Sequence, residues 1–434
     1  MLYQPMDAAL SIGWEVTLSL IILAALFLLA VPVWVSLGIT ALVMLWLTDV
    51  LPLSLLGESL FSGVNHYALI AIPLYLLTGD ALVRTGQSKK LLDVAEATMG
   101  SLRSGMGTST VLACGFFSSI SGSDAAGCAA VGRMTYARLV EKGYPPSYAS
   151  ALVAAGACTG ILIPPSIAYI IIGMILGISA ASLFVAAIIP GILVLIAIMV
   201  TNIILNRVHG YENSGARFSF ARWRQAIWDG KFALSIPLII LGGIYSGIFT
   251  PTEAAAVAVA VTLIIGFFEK TLRFADIPEM LWSSAKVNGI IVPIIAVALP
   301  LAQALTLVQV PQGFVGLIRS LTDDPTLIIL LMLAVFIVAG CIMEATPNIV
   351  ILAPIMFPLS QEIGMSDIQF CIFMITSLGV GFITPPLGLN LFVISSVTGD
   401  PVLSVAARSL PYVFSILLVV LLIAFIPALS IWWM

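Results

Sequence analysis

Apolar runs near the ~20 residues needed to cross a bilayer recur along almost the whole chain, separated by short polar or Pro- and Gly-containing turns. They predict spans at residues 14–30, 33–47 and 67–82, then a shorter pair at 104–118 and 124–140, then 148–162, 166–176 and 182–206. The second half reads 232–249, 253–268 and 289–307, a shorter pair at 326–339 and 347–361, then 368–383, 387–396 and 411–432. Between the halves, residues 207–231 are the one long polar stretch. A helix of about 15 residues, such as 104–118, measures only ~22 Å against a ~30 Å hydrocarbon core. It ends in Ser118-Ser119-Ile120-Ser121-Gly122-Ser123, a turn that lipid does not solvate. Irregular backbone at that depth survives only under protein or beside a water-filled cavity, so both short pairs read as re-entrant hairpins.

Composition then excludes the soluble classes. The 434 residues are 61% apolar and 9% charged, against roughly 45–50% and about 25% in soluble domains. So few charges cannot cover a water-facing surface, and the chain is all-α and polytopic in a membrane. A net charge of −4, with no basic cluster interleaved with aromatics, excludes a nucleic-acid partner. The five cysteines (Cys114, Cys128, Cys158, Cys341, Cys371) sit singly in apolar stretches without metal-ligand spacing, as buried small hydrophobes do. His66 and His209 fall in loops without an HExxH partner. G-x-S-x-G is absent and neither Asp80 nor Asp124 has a G-x-G-D context, so no intramembrane protease is encoded and the chain is not an enzyme. Residues 1–13 carry no Lys or Arg, and the first apolar run is expected to be a retained helix rather than a signal peptide.

Charge sets the topology. With the 207–231 connector in the cytoplasm and both short pairs entering and leaving on one side, all of the 17 Lys and Arg residues except Arg319 fall inside, Arg217 of the connector among them. Both chain ends are then external. Internal repetition appears at an offset of 221: Glu58/Glu279, Leu60/Leu281, Ser62/Ser283, Glu141/Glu362, Gly143/Gly364, Gly160/Gly381, Pro164/Pro385 and Pro165/Pro386. The halves are residues 1–206 (hairpin 104–140, broken helix 148–176) and 232–434 (hairpin 326–361, broken helix 368–396). One hairpin enters from the cytoplasm and its counterpart from outside, an inverted-topology repeat of the kind secondary transporters use. The segments 51–63 and 274–286 read as amphipathic interfacial helices that brace a scaffold.

The chemistry concentrates where each polar tip meets a Pro-Pro break. Proline lacks an N–H, so Gly160–Pro165 and Gly381–Pro386 each free carbonyls near the bilayer midplane. Carbonyls and hydroxyls suit Na⁺, while half-helix N-termini suit an anionic substrate group. The tips supply Ser121, Gly122 and Ser123 in one half and Glu344, Ala345 and Thr346 in the other. Asp124 and Glu344 are intramembrane carboxylates, each open to three roles: binding a cation, carrying a proton, or capping the half-helix that follows. Asp80 is expected to pair with Arg84, and Arg133 to snorkel to the interface. The pairs Gly156/Gly160, Gly173/Gly177 and Gly243/Gly247 read as close helix-packing motifs. A channel would not require broken helices paired with hairpins in both halves.

Five motifs in order carry a resemblance. Phe117-Ser118-Ser119-Ile120-Ser121-Gly122-Ser123, Glu141-Lys142-Gly143-Tyr144, Ile163-Pro164-Pro165-Ser166, Ile189-Pro190-Gly191 and Thr384-Pro385-Pro386-Leu387-Gly388-Leu389-Asn390, with Ala71-Ile72-Pro73-Leu74, resemble the large membrane subunit of tripartite ATP-independent periplasmic (TRAP) transporters. The resemblance implies an elevator-type transporter of the ion transporter superfamily, importing an organic acid through a bacterial inner membrane on the Na⁺ gradient. It implies a separate small four-helix membrane subunit and a periplasmic substrate-binding protein, and hence that this chain does not transport alone. By motif, one Na⁺ site would fall at Ser121, Gly122 and Ser123 with Gly160 and Ile163, and a second at Glu344, Ala345 and Thr346 with Gly381 and Thr384. Substrate would sit between the tips, near Asp124, Pro165, Ser166, Pro386 and Asn390. The Ser-Gly-Ser-Asp tip departs from the smaller or neutral residue expected at Asp124. The alternatives are a proton-coupled organic-anion transporter without a binding protein, or an ion channel.

Overall fold

The computed structural model describes residues 13–212 and 218–433. Arg217 and the two chain ends, whose sidedness the charge rule addresses, lie outside the described residues or at their limit. Helices, most of them apolar, make up the described chain, with no strand among the described residues. The first half runs α1 (Trp14–Leu28), α2 (Val33–Thr48), α3 (Leu56–Val64), α4 (Ala71–Arg84) and α5 (Gln87–Met99). It continues with α6 (Gly105–Ser121), α7 (Asp124–Glu141), α8 (Pro146–Ala157), α9 (Ile167–Leu176), α10 (Ala180–Ala186) and α11 (Ile188–His209). The connector holds α12 (Phe220–Asp229). The second half follows as α13 (Lys231–Tyr245), α14 (Pro251–Phe268), α15 (Ile277–Leu307), α16 (Val310–Leu321) and α17 (Pro325–Ile342). Then come α18 (Ala345–Glu362), α19 (Asp367–Gly381), α20 (Leu389–Thr398), α21 (Val402–Phe425) and α22 (Ala428–Ile431). Among the described residues, six helical segments are long and apolar enough to cross a membrane; α12 and α13, bent by 67°, would add a seventh if taken together.

Shifting α7 by 221 positions lands on α18 residue for residue, and α6, α8 and α9 land on α17, α19 and α20 within about a turn. Both Pro-Pro bonds, Pro164-Pro165 and Pro385-Pro386, are cis. The hairpins and broken helices of the two halves share one core, with Phe336 packed edge-on against Phe370 and Phe373. A second core joins α1, α2 and α15. α15 also packs on α3 and α4, and α4 on α14, so this outer body draws on both halves.

Several sequence expectations change. Residues 274–286 do not form a separate interfacial helix: after one 3-10 turn they run on as α15, which extends unbroken for 31 residues. The first half breaks at the corresponding place because Asn65 and His66 leave helical geometry and a 3-10 turn follows. The 182–206 span is two helices, α10 and α11, and the last span begins at Val402 and ends at Phe425. α5 and α16 were not anticipated, since neither is apolar enough to read as a span; they occupy matching places before the two hairpins. Gly177 and Gly247 have positive φ and nothing within 4 Å of an added Cβ, so they end helices by a left-handed turn rather than pack them. Gly156 does pack closely, against Cys114.

Candidate functional site

The first tip is held together by glycines. Gly122, at φ 63°, reverses the chain between α6 and α7. Ser123 then caps α7, its Oγ accepting from the Ala126 N–H at 3.4 Å, which puts Asp124 in the first turn rather than at the cap. A Cβ on Gly160 would stand 2.6 Å from both N and Cα of Asp124, and one on Gly122 would stand 2.7 Å from the Pro165 carbonyl oxygen. Tip and break are therefore in backbone contact. The Ile167 N–H donates to the Gly122 carbonyl at 3.3 Å, and the Ser118 and Thr159 hydroxyls share a hydrogen bond of 3.1 Å. Pro164 and Pro165 cannot donate, so the Gly160 and Ile161 carbonyls lose their helical partners. Ser166 Oγ donates to Ile161 O at 2.8 Å, and the Ile163 N–H to Thr159 O at 2.8 Å, which leaves Gly160 O without either replacement. Ser121, Gly122, Ser123, Gly160 and Ile163 thus lie around one junction, buried except for the half-buried Ser123 and Ile163.

The second half repeats the junction with different atoms. The Gly388 N–H, at the position matching Ile167, donates to the Cys341 carbonyl at 3.0 Å. A Cβ on Gly381 would meet Gly340 C and Cα at 2.6 Å. The contact between α17 and the break therefore passes through Gly340 and Cys341, just before the tip. Phe382 O, denied its donor by Pro386, accepts from the Asn390 N–H at 3.1 Å, and Gly381 O accepts from the Thr384 N–H at 3.0 Å. Thr384 Oγ1 donates to Val380 O at 2.6 Å. Glu344 occupies the backbone cap of α18 but makes no side-chain capping bond. Glu344 is exposed, while Ala345 and Thr346 are buried. Asn348 was not anticipated: its Nδ2 donates to Ala339 O at 3.1 Å and Met343 O at 3.0 Å, closing the end of α17, and its Oδ1 is buried without a partner.

The expected substrate residues divide. Asp124 is 4% exposed, its Oδ2 has no hydrogen-bond partner, and it lies within electrostatic reach of Glu344. Pro165 and Ser166 are buried and Pro386 is exposed. Asn390 is fully buried and stitches the halves together, its Nδ2 donating to Ala154 O at 3.4 Å and Cys158 Sγ at 3.5 Å, with Oδ1 unpartnered.

Residues 20–429 match the family model described as tripartite ATP-independent periplasmic transporter, DctM component. The chain belongs to this family. It is 38% identical over 376 residues, 86% of this chain and 88% of the relative, to the C4-dicarboxylate TRAP transporter large permease protein DctM of Pseudomonas aeruginosa. It is 32% identical to the 2,3-diketo-L-gulonate TRAP transporter large permease protein YiaN of Escherichia coli, covering 92% of this chain and 93% of that one. It is 34% identical to the isethionate TRAP transporter permease protein DctMQ of Oleidesulfovibrio alaskensis, covering 93% of this chain and 64% of that one. In fold it resembles the Alcanivorax borkumensis YdaH transporter, with TM-score 0.60, 16% identity, and 88% and 89% of the two chains covered. The TRAP large permeases are polytopic inner-membrane transporter subunits rather than enzymes, and the family works with a small membrane subunit and a periplasmic binding protein.

Away from the tips, the permease ties its connector to the first hairpin. Glu212, just beyond the end of α11, is 5% exposed and accepts from the Met106 N–H at 3.1 Å and the Tyr144 hydroxyl at 3.2 Å. Its own N–H donates to Asn206 Oδ1 at 2.8 Å. Burial pushes the Glu212 carboxyl above the usual range, and the Met106 N–H and Tyr144 hydroxyl oppose that rise. Nothing in the polar connector singled it out. Asp80 pairs with Arg84 at 3.0 Å as the spacing suggests, and Arg84 also reaches Glu279 at 3.1 Å. Arg133 is exposed on α7.

Proposed function

We propose that this TRAP permease uses Na⁺ to drive import of an organic acid across the bacterial inner membrane. A periplasmic binding protein delivers the substrate and a small four-helix subunit braces the scaffold. The observation that carries this reading is the junction repeated in both halves, where a hairpin end is bonded through its backbone to a helix broken at Pro-Pro, with Gly160 O left without a replacement donor in the first half. Carbonyls at a broken helix and neighbouring hydroxyls suit a monovalent cation such as Na⁺. One Na⁺ would lie at Ser121, Gly122 and Ser123 with Gly160 and Ile163, the other at Glu344, Ala345 and Thr346 with Gly381 and Thr384. Binding there would lock each tip onto its break, and substrate would occupy the space between tips near Asp124, Pro165, Ser166, Pro386 and Asn390. The halves sit in the membrane with opposite sense, and the hairpins and broken helices move as a unit against the body of α1–α4 and α13–α16, an elevator. The printed substrates of the relatives (a C4-dicarboxylate, 2,3-diketo-L-gulonate, isethionate) are all small organic acids.

A direct test is the melting temperature of the purified chain in Na⁺ against K⁺ across pH. At ~100 times its Kd a ligand stabilises by about 2.7 kcal/mol. The reading expects a saturable, Na⁺-specific rise that Ser121→Ala and Glu344→Gln each weaken. A pH-dependent shift that vanishes in Glu344→Gln, with no Na⁺ effect, would assign the coupling to protons instead.

A further inference from the structure

A cavity of about 640 Å³ opens between α3, α9, α15 and α18, away from the residues assigned to the tips. Its position along α15 fixes the side it faces. α15 begins beside Glu279, which is bonded to Arg84 near the basic cluster of Lys89, Lys90 and Lys270, and the cavity is lined by Ile295 to Leu307. At 1.5 Å per residue that is ~24 to ~42 Å further along the helix, at the opposite face. The positive-inside rule makes that face external. Its floor on α18, Val350 and Pro354, lies only ~9 to ~15 Å of helix beyond the Glu344 tip.

The wall is chemically specific. Glu58, Ser62 and His66 on and after α3 line it, and among the described residues their side chains make no hydrogen bond or ion pair. Ser59 Oγ donates to Gln303 Oε1 at 3.0 Å, leaving the Gln303 amide group as a donor, and Thr306 presents a hydroxyl beside it. Met174 and Ile175 supply an apolar side. Neutral hydrogen-bonding groups outnumber charges, His66 is the one basic side chain, and Glu58 would repel a second negative charge.

We infer that this cavity is an outer vestibule that holds a hydroxyl-bearing monocarboxylate before it reaches the tips. The inference rests on the organic-acid import proposed above. His66 meets the carboxylate, while Ser62, Gln303 and Thr306 bind hydroxyls. Because all five native cysteines are buried, single cysteines at the wall can be followed by an impermeant maleimide in right-side-out vesicles. Leu55→Cys and, on the opposite wall, Leu307→Cys, neither of which removes a polar group of the wall, should both label from outside. D-gluconate at twice its Kd should slow labelling roughly threefold, and succinate should slow it much less. Adding His66→Ala should remove the gluconate protection while leaving the labelling rate. Labelling from the inside alone, no protection by gluconate at either position, or equal protection by succinate would each overturn the vestibule. Gluconate protection in a chain whose melting ignores Na⁺ would keep the vestibule and sink only the sodium reading; a Na⁺-specific melting rise without protection would do the reverse.

Discussion

Gly160→Ala is the sharpest perturbation of the junction. Its methyl would lie 2.6 Å from the N and Cα of Asp124 and 2.8 Å from the Ser123 carbonyl carbon. Ordinary contact begins at 3.4 Å, so tip and break must separate by about 3.4 − 2.6 = 0.8 Å. The atoms in the way are backbone, held by the Ser123 cap and by the Ile167 to Gly122 hydrogen bond, and they cannot rotate aside. Overpacking of this kind costs about 1–3 kcal/mol. If that strain is relieved by opening the junction, cation affinity falls by roughly 5- to 150-fold, since 1.4 kcal/mol is a factor of ten. Melting in a Na⁺ series reads both quantities, the drop without Na⁺ and the midpoint of the Na⁺-dependent rise. Gly289→Ala is the control, because nothing lies within 4 Å of its Cβ. A Gly160→Ala chain with the same melting temperature and the same Na⁺ midpoint as wild type would refute the reasoning.

Three further outcomes follow from individual contacts. Glu212 has a carboxyl raised above its ordinary 4.5 by burial; the folded chain then binds more protons than the unfolded one as pH climbs from 4.5 through the raised value, so this group's contribution to stability is lost over that window. Glu212→Gln should flatten that part of a melting-versus-pH curve, and an unchanged slope would contradict the assignment. Tyr412→Phe removes a buried 2.7 Å hydroxyl bond to Tyr148 that links α21 to α8, and denaturant titration should show a loss of about 0.5–1.5 kcal/mol. Asn348→Ala uncaps two carbonyls at the end of α17, costs about 1–3 kcal/mol, and should speed amide exchange over residues 339–344 more than anywhere on α6.

The legible part of the fold came from the helices and from repetition. The short 104–118 run and its Ser-rich end predict a hairpin, and α6, Gly122 and α7 form one; the Pro-Pro pairs at matching positions predict breaks, and both occur. What escaped was set by context rather than by local pattern. Residues 274–286 carry an amphipathic face, yet nothing between Lys286 and Gly289 stops the helix, so packing against α3 and α4 extends it. Gly173/Gly177 and Gly243/Gly247 match a packing motif, but the second glycine of each takes a left-handed φ that ends the helix. α5 mixes Lys, Asp and Glu with leucines and is a helix because its apolar side meets α6. The inward turn of Asn390 toward Ala154 and Cys158, and the placing of Asn348 against the end of α17, depend on which face of each helix meets its neighbour. A single chain's spacing does not set that.

The central claim is that Na⁺ closes both hairpins onto their broken helices, and amide hydrogen exchange of the purified permease reads it without a known substrate. In Na⁺ relative to K⁺ at equal ionic strength, the account predicts slower exchange over residues 118–126 and 340–348, with little change in α1 and α2. Exchange at both tips that is the same in Na⁺ and K⁺ would contradict it.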